Sequence, residues 1–273
     1  MLHIPAETLR EGRSIFVALP WYKSASPLTT FSLLAMADHT RMGFGIGFGD
    51  AFIAHSRNNL ATQFVNSKLE WMLMVDDDMI LPYGDPKWFN GVTMMNLPEQ
   101  FAGMHALNRL LSHGKTIVGA LYFGRWRKGH PVFAEGMATE EWLRKNGPID
   151  EVRPTRWVGT GVCLFHRSAF LDVERLFPQL SREANNGTGQ WFTSFEHDLQ
   201  KEVDEIVRGG DQQNIASIIS RLELARKKSS IHSSRGMGED VQFCIRATQA
   251  GHQPHVDLGL WCGHVGNFCF PLR

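Results

Sequence analysis

The sequence predicts an α/β domain built on a mostly parallel sheet flanked by helices. Three observations carry this. Short apolar runs at 14–19, Trp71–Val75 and 116–121 recur along the chain, as strands buried on both faces do. Segments with apolar residues at helical spacing lie between them. The first run stops at Pro20, and the second stops at three consecutive aspartates, Asp76, Asp77 and Asp78.

In chain order, residues 14–19 read as the first strand. Residues 27–39 read as a helix, with Pro27 at the helix start where its missing N–H costs nothing. A glycine-rich strand at 42–48, a helix at 53–69 and the strand 71–75 follow, then a helix at 99–113 and a strand at 116–121. The second half changes texture. Residues 157–167 are strand-like and broken by Gly159 and Gly161, and Ser168 suits the cap of a short helix. Residues 196–228 are long, polar and charged, interrupted by Gly209-Gly210, and Asp211 can cap a second helix there. This predicts one domain over 1–273 with a helical hairpin inserted at about 196–235. A last helix over 239–250 ends at Gly251 as its C-terminal cap, and 255–263 returns to extended structure.

A chain of 273 residues can bury a sizeable core without staples. Twenty-eight basic residues balance 28 acidic ones, so global charge does not advertise a polyanionic partner, although a local basic patch can. Cys163, Cys244, Cys262 and Cys269 sit among apolar neighbours with no C-x-x-C pair, which reads as buried free thiols. Residues 1–13 lack the apolar core of a signal peptide, and no stretch is long and apolar enough to span a bilayer. The expectation is a cytoplasmic protein, in the host cytoplasm if it is viral.

Three carboxylates directly after a buried strand repel one another unless a cation or hydrogen-bond donors compensate. In parallel α/β sheets, ligands bind beyond the carboxyl ends of the strands. Hard divalent cations take oxygen ligands and bridge to substrate phosphates. A single aspartate there would read as a turn or a helix cap, whereas three between apolar runs read as a metal site.

The strand followed by Asp-x-Asp resembles the nucleotide-sugar motif of GT-A glycosyltransferases of the family 2-like, compact bacterial and bacteriophage type. Three further segments extend the resemblance, in the family's order. Residues 54–60 (AHSRNNL) resemble the segment whose arginine lies near the donor nucleotide, which maps to Arg57 and Asn58. Gly159-Thr160-Gly161 resembles the strand beside the sugar and acceptor. Gly238-Glu239-Asp240, opening a helix that ends at Gly251, resembles the helix whose acidic residue is the catalytic base of inverting members. His264, between Gly263 and Gly266, resembles the histidine that completes metal coordination.

The resemblance implies a glycosyltransferase, a hexosyl- or pentosyltransferase, moving a sugar from a nucleotide-sugar donor to a hydroxyl acceptor with inversion. Asp76, Asp78 and His264 would hold Mn²⁺ or Mg²⁺, and an imidazole beside carboxylates suits Mn²⁺ better. Asp76, Asp77, Arg57, Asn58, Gly159, Thr160 and Gly161 would contact the donor. Asp240 would be the general base, or Glu239 with Asp240 as its orienter.

Two basic groups bear on the acceptor. Arg125-Trp126-Arg127-Lys128 interleaves an aromatic with cations, and Arg226-Lys227-Lys228 leads towards the Glu239-Asp240 helix. Both suit phosphate contact and base stacking, although charge runs are commonly just solvated faces. Some viral members of the family that the chain resembles sugar-modify hydroxymethylated bases in DNA, so the resemblance implies such a base as acceptor, with glycans and small molecules as alternatives. Paired aspartates and a metal would also serve a sugar nucleotidyltransferase. That enzyme uses a glycine-rich basic loop after the first strand, which residues 19–25 do not form.

Overall fold

The computed structural model describes residues 15–21, 25–37, 42–48, 52–123, 143, 145–193, 220 and 238–265. Strands β1 (Ile15–Trp21), β2 (Met42–Phe48), β3 (Trp71–Val75), β5 (Ile117–Leu121), β6 (Val152–Pro154), β7 (Val162–His166) and β8 (His255–Trp261) form one sheet in the order β2-β1-β3-β7-β5-β8-β6. β4 (Met79–Ile80) and β9 (Gly263–His264) form a separate two-stranded ladder. β2, β1, β3, β5 and β8 run in one direction, and β7 and β6 run against them. The predicted α/β class and mostly parallel sheet are therefore present.

The helices are α1 (Pro27–Ala37), α2 (Ile53–Ser67), α3 (Pro86–Thr93), α4 (Glu99–Ala102), α5 (Ala106–Ser112), α6 (Arg167–Leu176) and α7 (Glu239–Gln249). Successive strand residues face opposite layers. Ile15, Val17 and Leu19 pack with Leu33, Met36, Leu107 and Leu110 on one side. Phe16 and Ala18 pack with Phe64, Phe165, Phe170 and Phe243 on the other.

Several boundaries differ from the expectation, each for a local reason. The helix expected over 99–113 is two helices, because the chain breaks after Gly103 and restarts with the His105 side chain accepting the Asn108 N–H. Ser168 does not cap α6. The helix begins one residue earlier, and the His166 ring accepts the Ser168 N–H. The strand-like stretch at 157–167 pairs as a strand only from Val162. The short elements α3, β4, β6 and β9 are additional: Asp85 caps α3, while β4 and β9 are two-residue pieces with no periodicity to read. Gly251 does take the left-handed conformation expected after α7, with φ of 92°.

Cys163, Cys244 and Cys262 are buried free thiols. Burial pushes Cys244 up to about 12 and holds Cys163 well above its ordinary range, so both stay protonated. Cys269 and, apart from Ser220, the predicted hairpin lie outside the described residues. Among the described residues, no helix is long and apolar enough to cross a membrane.

Candidate functional site

The parallel strands end on one edge, and every landmark is delivered there by its own element. Asp76 follows β3 directly. Its N–H donates to the Gly161 carbonyl at 2.9 Å, so the residue just before the antiparallel β7 meets the residue just after β3. α7 opens at the same edge with Glu239 and Asp240 in its first turn. β8 leads through Cys262 into His264, whose neighbour Val265 donates to the Asp78 carbonyl at 2.7 Å.

α7 is held firmly. Phe243 stacks on Phe192 with centroids 4.8 Å apart and on Phe170 at 5.0 Å. Arg246 donates to the Trp191 carbonyl at 3.0 Å. Asn58 belongs to this support. It is 2% exposed, its amide nitrogen donates to the Phe192 carbonyl and its oxygen accepts the Phe192 N–H. Buried and paired with one backbone group at each end of its amide, Asn58 joins α2 to residue 192.

Arg57 lies on the stripe of α2 that also carries Leu60, Ala61, Phe64 and Val65, so helical geometry drives it inward with the apolar residues. A buried cation needs partners. Nη2 donates to both Asp76 oxygens, at 2.9 and 3.0 Å, and Nη1 donates to Glu239. Burial works against this charge, and Asp76, Glu239 and Asp240 outweigh it, so the arginine stays charged above its ordinary pKa.

Asp240 is treated differently. Its one described hydrogen bond is from its neighbour Val241 N–H at 2.8 Å. Burial first and Glu239 second push its pKa up from 3.8 to about 6, with Arg57 pulling the other way. One acid of the pair is thus committed to an arginine, and the other is left with the basicity a proton acceptor near neutrality requires.

Asp78 and His264 form the second half of the site. His264 Nδ1–H donates to the Phe123 carbonyl at 2.8 Å, which turns Nε2 towards Asp78 Oδ1 at 3.3 Å. A lone pair facing a carboxylate oxygen requires a proton or a cation between them. A backbone carbonyl on the far nitrogen is also the usual orienting contact for a metal-bound imidazole. The donor set fits Mn²⁺ or Mg²⁺. Asp76, the third ligand expected from the sequence, is differently engaged. Both Asp76 oxygens are turned to Arg57, and among the described residues no three His, Cys, Asp or Glu side chains gather to hold a metal. Asp77 contributes its backbone, whose carbonyl accepts from Ser26 N–H at 2.7 Å and Thr29 hydroxyl at 3.1 Å.

Gly159, Thr160 and Gly161 are buried at the same edge. The Thr160 hydroxyl has no hydrogen-bond partner among the described residues. At Gly161, a Cβ would lie 2.8 Å from the Tyr122 hydroxyl, and the Gly161 N–H donates to that oxygen at 2.9 Å. Tyr122 was not a sequence candidate. The signal that finds it is the one that found Asp76: a polar group just past an apolar parallel strand. Arg125, Trp126, Arg127, Lys128, Arg226, Lys227 and Lys228 lie outside the described residues.

No family model matches the chain, and no curated protein sequence is similar to it. Three solved structures share features of the fold. A197 from STIV has a TM-score of 0.48 at 13% identity, over 93% of this chain and 86% of that one. A glycosyltransferase involved in glycosylation of the major capsid of PBCV-1 has a TM-score of 0.30 at 11% identity, over 60% and 65%. A protein described as a glucose-1-phosphate thymidylyltransferase from Bacillus anthracis, in complex with a sucrose, has a TM-score of 0.32 at 12% identity, over 61% and 76%. At these identities and scores the likenesses say nothing of reaction or substrate, and the site is read from its own residues.

Proposed function

We propose that the chain is a metal-assisted glycosyltransferase that uses a nucleotide-sugar donor and Asp240 as general base. The observation that carries this reading is the division of labour at the sheet edge. Arg57 occupies Asp76 and Glu239, Asp240 keeps a pKa of about 6, and Asp78 with His264 offers an oxygen and a nitrogen to a cation nearby. Glu239 is the weaker candidate base, because its carboxylate is already bound to Arg57. Asp78 and His264 would hold the metal, with substrate phosphates and water filling the remaining positions as such ions favour. Bound there, a divalent cation supplies a Lewis acid for the departing diphosphate. Asp240 takes the acceptor hydroxyl proton as that oxygen bonds to the anomeric carbon and the bond to the diphosphate breaks.

The test is release of nucleoside diphosphate from a panel of nucleotide-sugars with Mn²⁺, compared between wild type and Asp240→Asn. Metal-dependent release in the wild type, reduced about 10²- to 10⁴-fold in the variant, is expected. No release from any donor, or pyrophosphate release from a nucleoside triphosphate with a sugar phosphate, would replace the reading with another.

For the acceptor, a hydroxymethylated base in DNA is what the family resemblance suggests, and the two basic groups at 125–128 and 226–228 suit contact with a phosphate backbone. Binding to such DNA should weaken steeply with salt, with a slope of about −0.9 per phosphate contact. A gel shift at low salt with modified and ordinary duplexes decides it. Binding to neither, with transfer to a small glycan, removes DNA as acceptor and leaves the transferase reading intact.

A further inference from the structure

We infer that the Tyr122 hydroxyl donates a hydrogen bond to a hydroxyl of the transferred sugar, and so selects which sugar is accepted. The inference rests on the glycosyltransferase reading above and adds a residue and a role to it.

Position comes first. Tyr122 follows β5 at the same carboxyl edge that carries Asp76, and it is 6% exposed. Its ring stands edge-on to His264, with centroids 5.7 Å apart and planes at 89°. Its oxygen accepts the N–H of Gly161, whose carbonyl in turn receives the Asp76 N–H. The phenol therefore lies between the His264–Asp78 half of the site, where the diphosphate belongs, and the Asp76–Asp240 half, where the acceptor proton leaves. On the glycosyltransferase reading, the sugar being transferred passes between those halves.

Hydrogen-bond accounting comes second. A phenol has one proton to donate besides its capacity to accept. The Gly161 N–H uses an oxygen lone pair, so the O–H proton must point elsewhere, and among the described residues nothing accepts it. A buried donor without an acceptor is unfavourable in the empty protein, and a bound oxygen would relieve this. Thr160, also buried, is a second hydroxyl on the same wall with no described partner.

The experiment compares donor hydrolysis by wild type and Tyr122→Phe. The substrate is whichever of UDP-glucose, UDP-N-acetylglucosamine, GDP-mannose and dTDP-glucose the wild type turns over, together with its singly deoxygenated sugar analogues. Wild type should lose roughly ten-fold in kcat/KM on one particular deoxygenation, the size of a neutral hydrogen bond. Tyr122→Phe should show a similar loss on the parent donor and no further loss on that analogue. A phenylalanine that discriminates among the analogues as wild type does overturns the inference, because a purely structural phenol would lower rates uniformly. If the variant does not fold, the wild-type series alone decides: indifference to every single deoxygenation overturns it. No turnover of any parent donor counts against the general reading and is recognisable as such before the analogues are tried.

Discussion

Arg57 Nη1 donates to the carboxylate of Glu239, a residue 182 positions further along the chain, while Nη2 holds both oxygens of Asp76. One cation thereby ties α2, the end of β3 and the start of α7 into a single charge cluster. Removing it strands two carboxylates beside Asp240. Because both keep some contact with water, Arg57→Ala should cost about 2–3 kcal/mol, below the 3–5 kcal/mol typical of fully buried pairs. Urea denaturation measures this. A cost under about 0.5 kcal/mol would show that the cluster does not hold the edge together. Since Arg57 lowers the Asp240 pKa, the acidic limb of the pH–rate profile should also move to higher pH in this variant.

Asp240 should trade stability for function. Its pKa rises from 3.8 to about 6 on folding, so between these values the folded state binds more protons than the unfolded state. Stability associated with this group is therefore full below about pH 4 and is lost as pH rises towards 6. At about 1.4 kcal/mol per pH unit, the carboxylate costs about 2–3 kcal/mol at pH 8. Asp240→Asn should accordingly be more stable than wild type at pH 8, no more stable at pH 4, and nearly inactive. Paired denaturation curves at the two pH values check the sign, and equal differences at both would contradict it.

Metal binding should depend on Asp78 and His264 together. With Mn²⁺ and donor at about 100 times their dissociation constants, the wild-type melting temperature should rise by roughly 5 °C. Asp78→Ala should abolish the Mn²⁺-dependent part of that rise while melting near the wild-type temperature without ligand, because removing a carboxylate there opens no core cavity. His264→Gln should weaken it. An unchanged metal-dependent shift in Asp78→Ala would place the cation elsewhere.

A second buried carboxylate, Asp257, is predicted to be purely structural. It is fully buried in β8, and Arg109 grips both its oxygens, at 2.6 and 2.7 Å. His113 approaches at 2.7 Å, and the Gly259 and Leu260 N–H groups donate to it. Burial alone would raise its pKa, but His113 and Arg109 outweigh that and lower it. Its contribution is therefore present above the ordinary aspartate pKa and is lost as pH falls through the depressed one. Arg109→Ala should destabilise the fold by about 3–5 kcal/mol at neutral pH and leave the per-molecule rate of folded enzyme unchanged. A specific loss of rate would connect this network to the site.

The sequence by itself determined the α/β class, the principal strands and helices, and the sheet edge at which the three aspartates emerge. Those features follow from local periodicity and from where apolar runs stop: Asp76 to Asp78 had to emerge at a strand end because Trp71–Val75 is apolar on both faces. Only the tertiary structure decided what each polar residue does there. Asn58 and Arg57 are neighbours on one helix, yet one props up Phe192 and the other binds Asp76 and Glu239. Asp76 and Asp78 lie two residues apart, yet one faces an arginine and the other a histidine. Side chains at adjacent positions diverge by a large angle, and their partners come from strands and helices far along the chain. The place of Tyr122 just past an apolar strand is legible in the sequence, but its contacts are not, for the same reason. Nothing in its own neighbourhood records that β7 would bring Gly161 to its hydroxyl, or that β9 would set His264 against its ring.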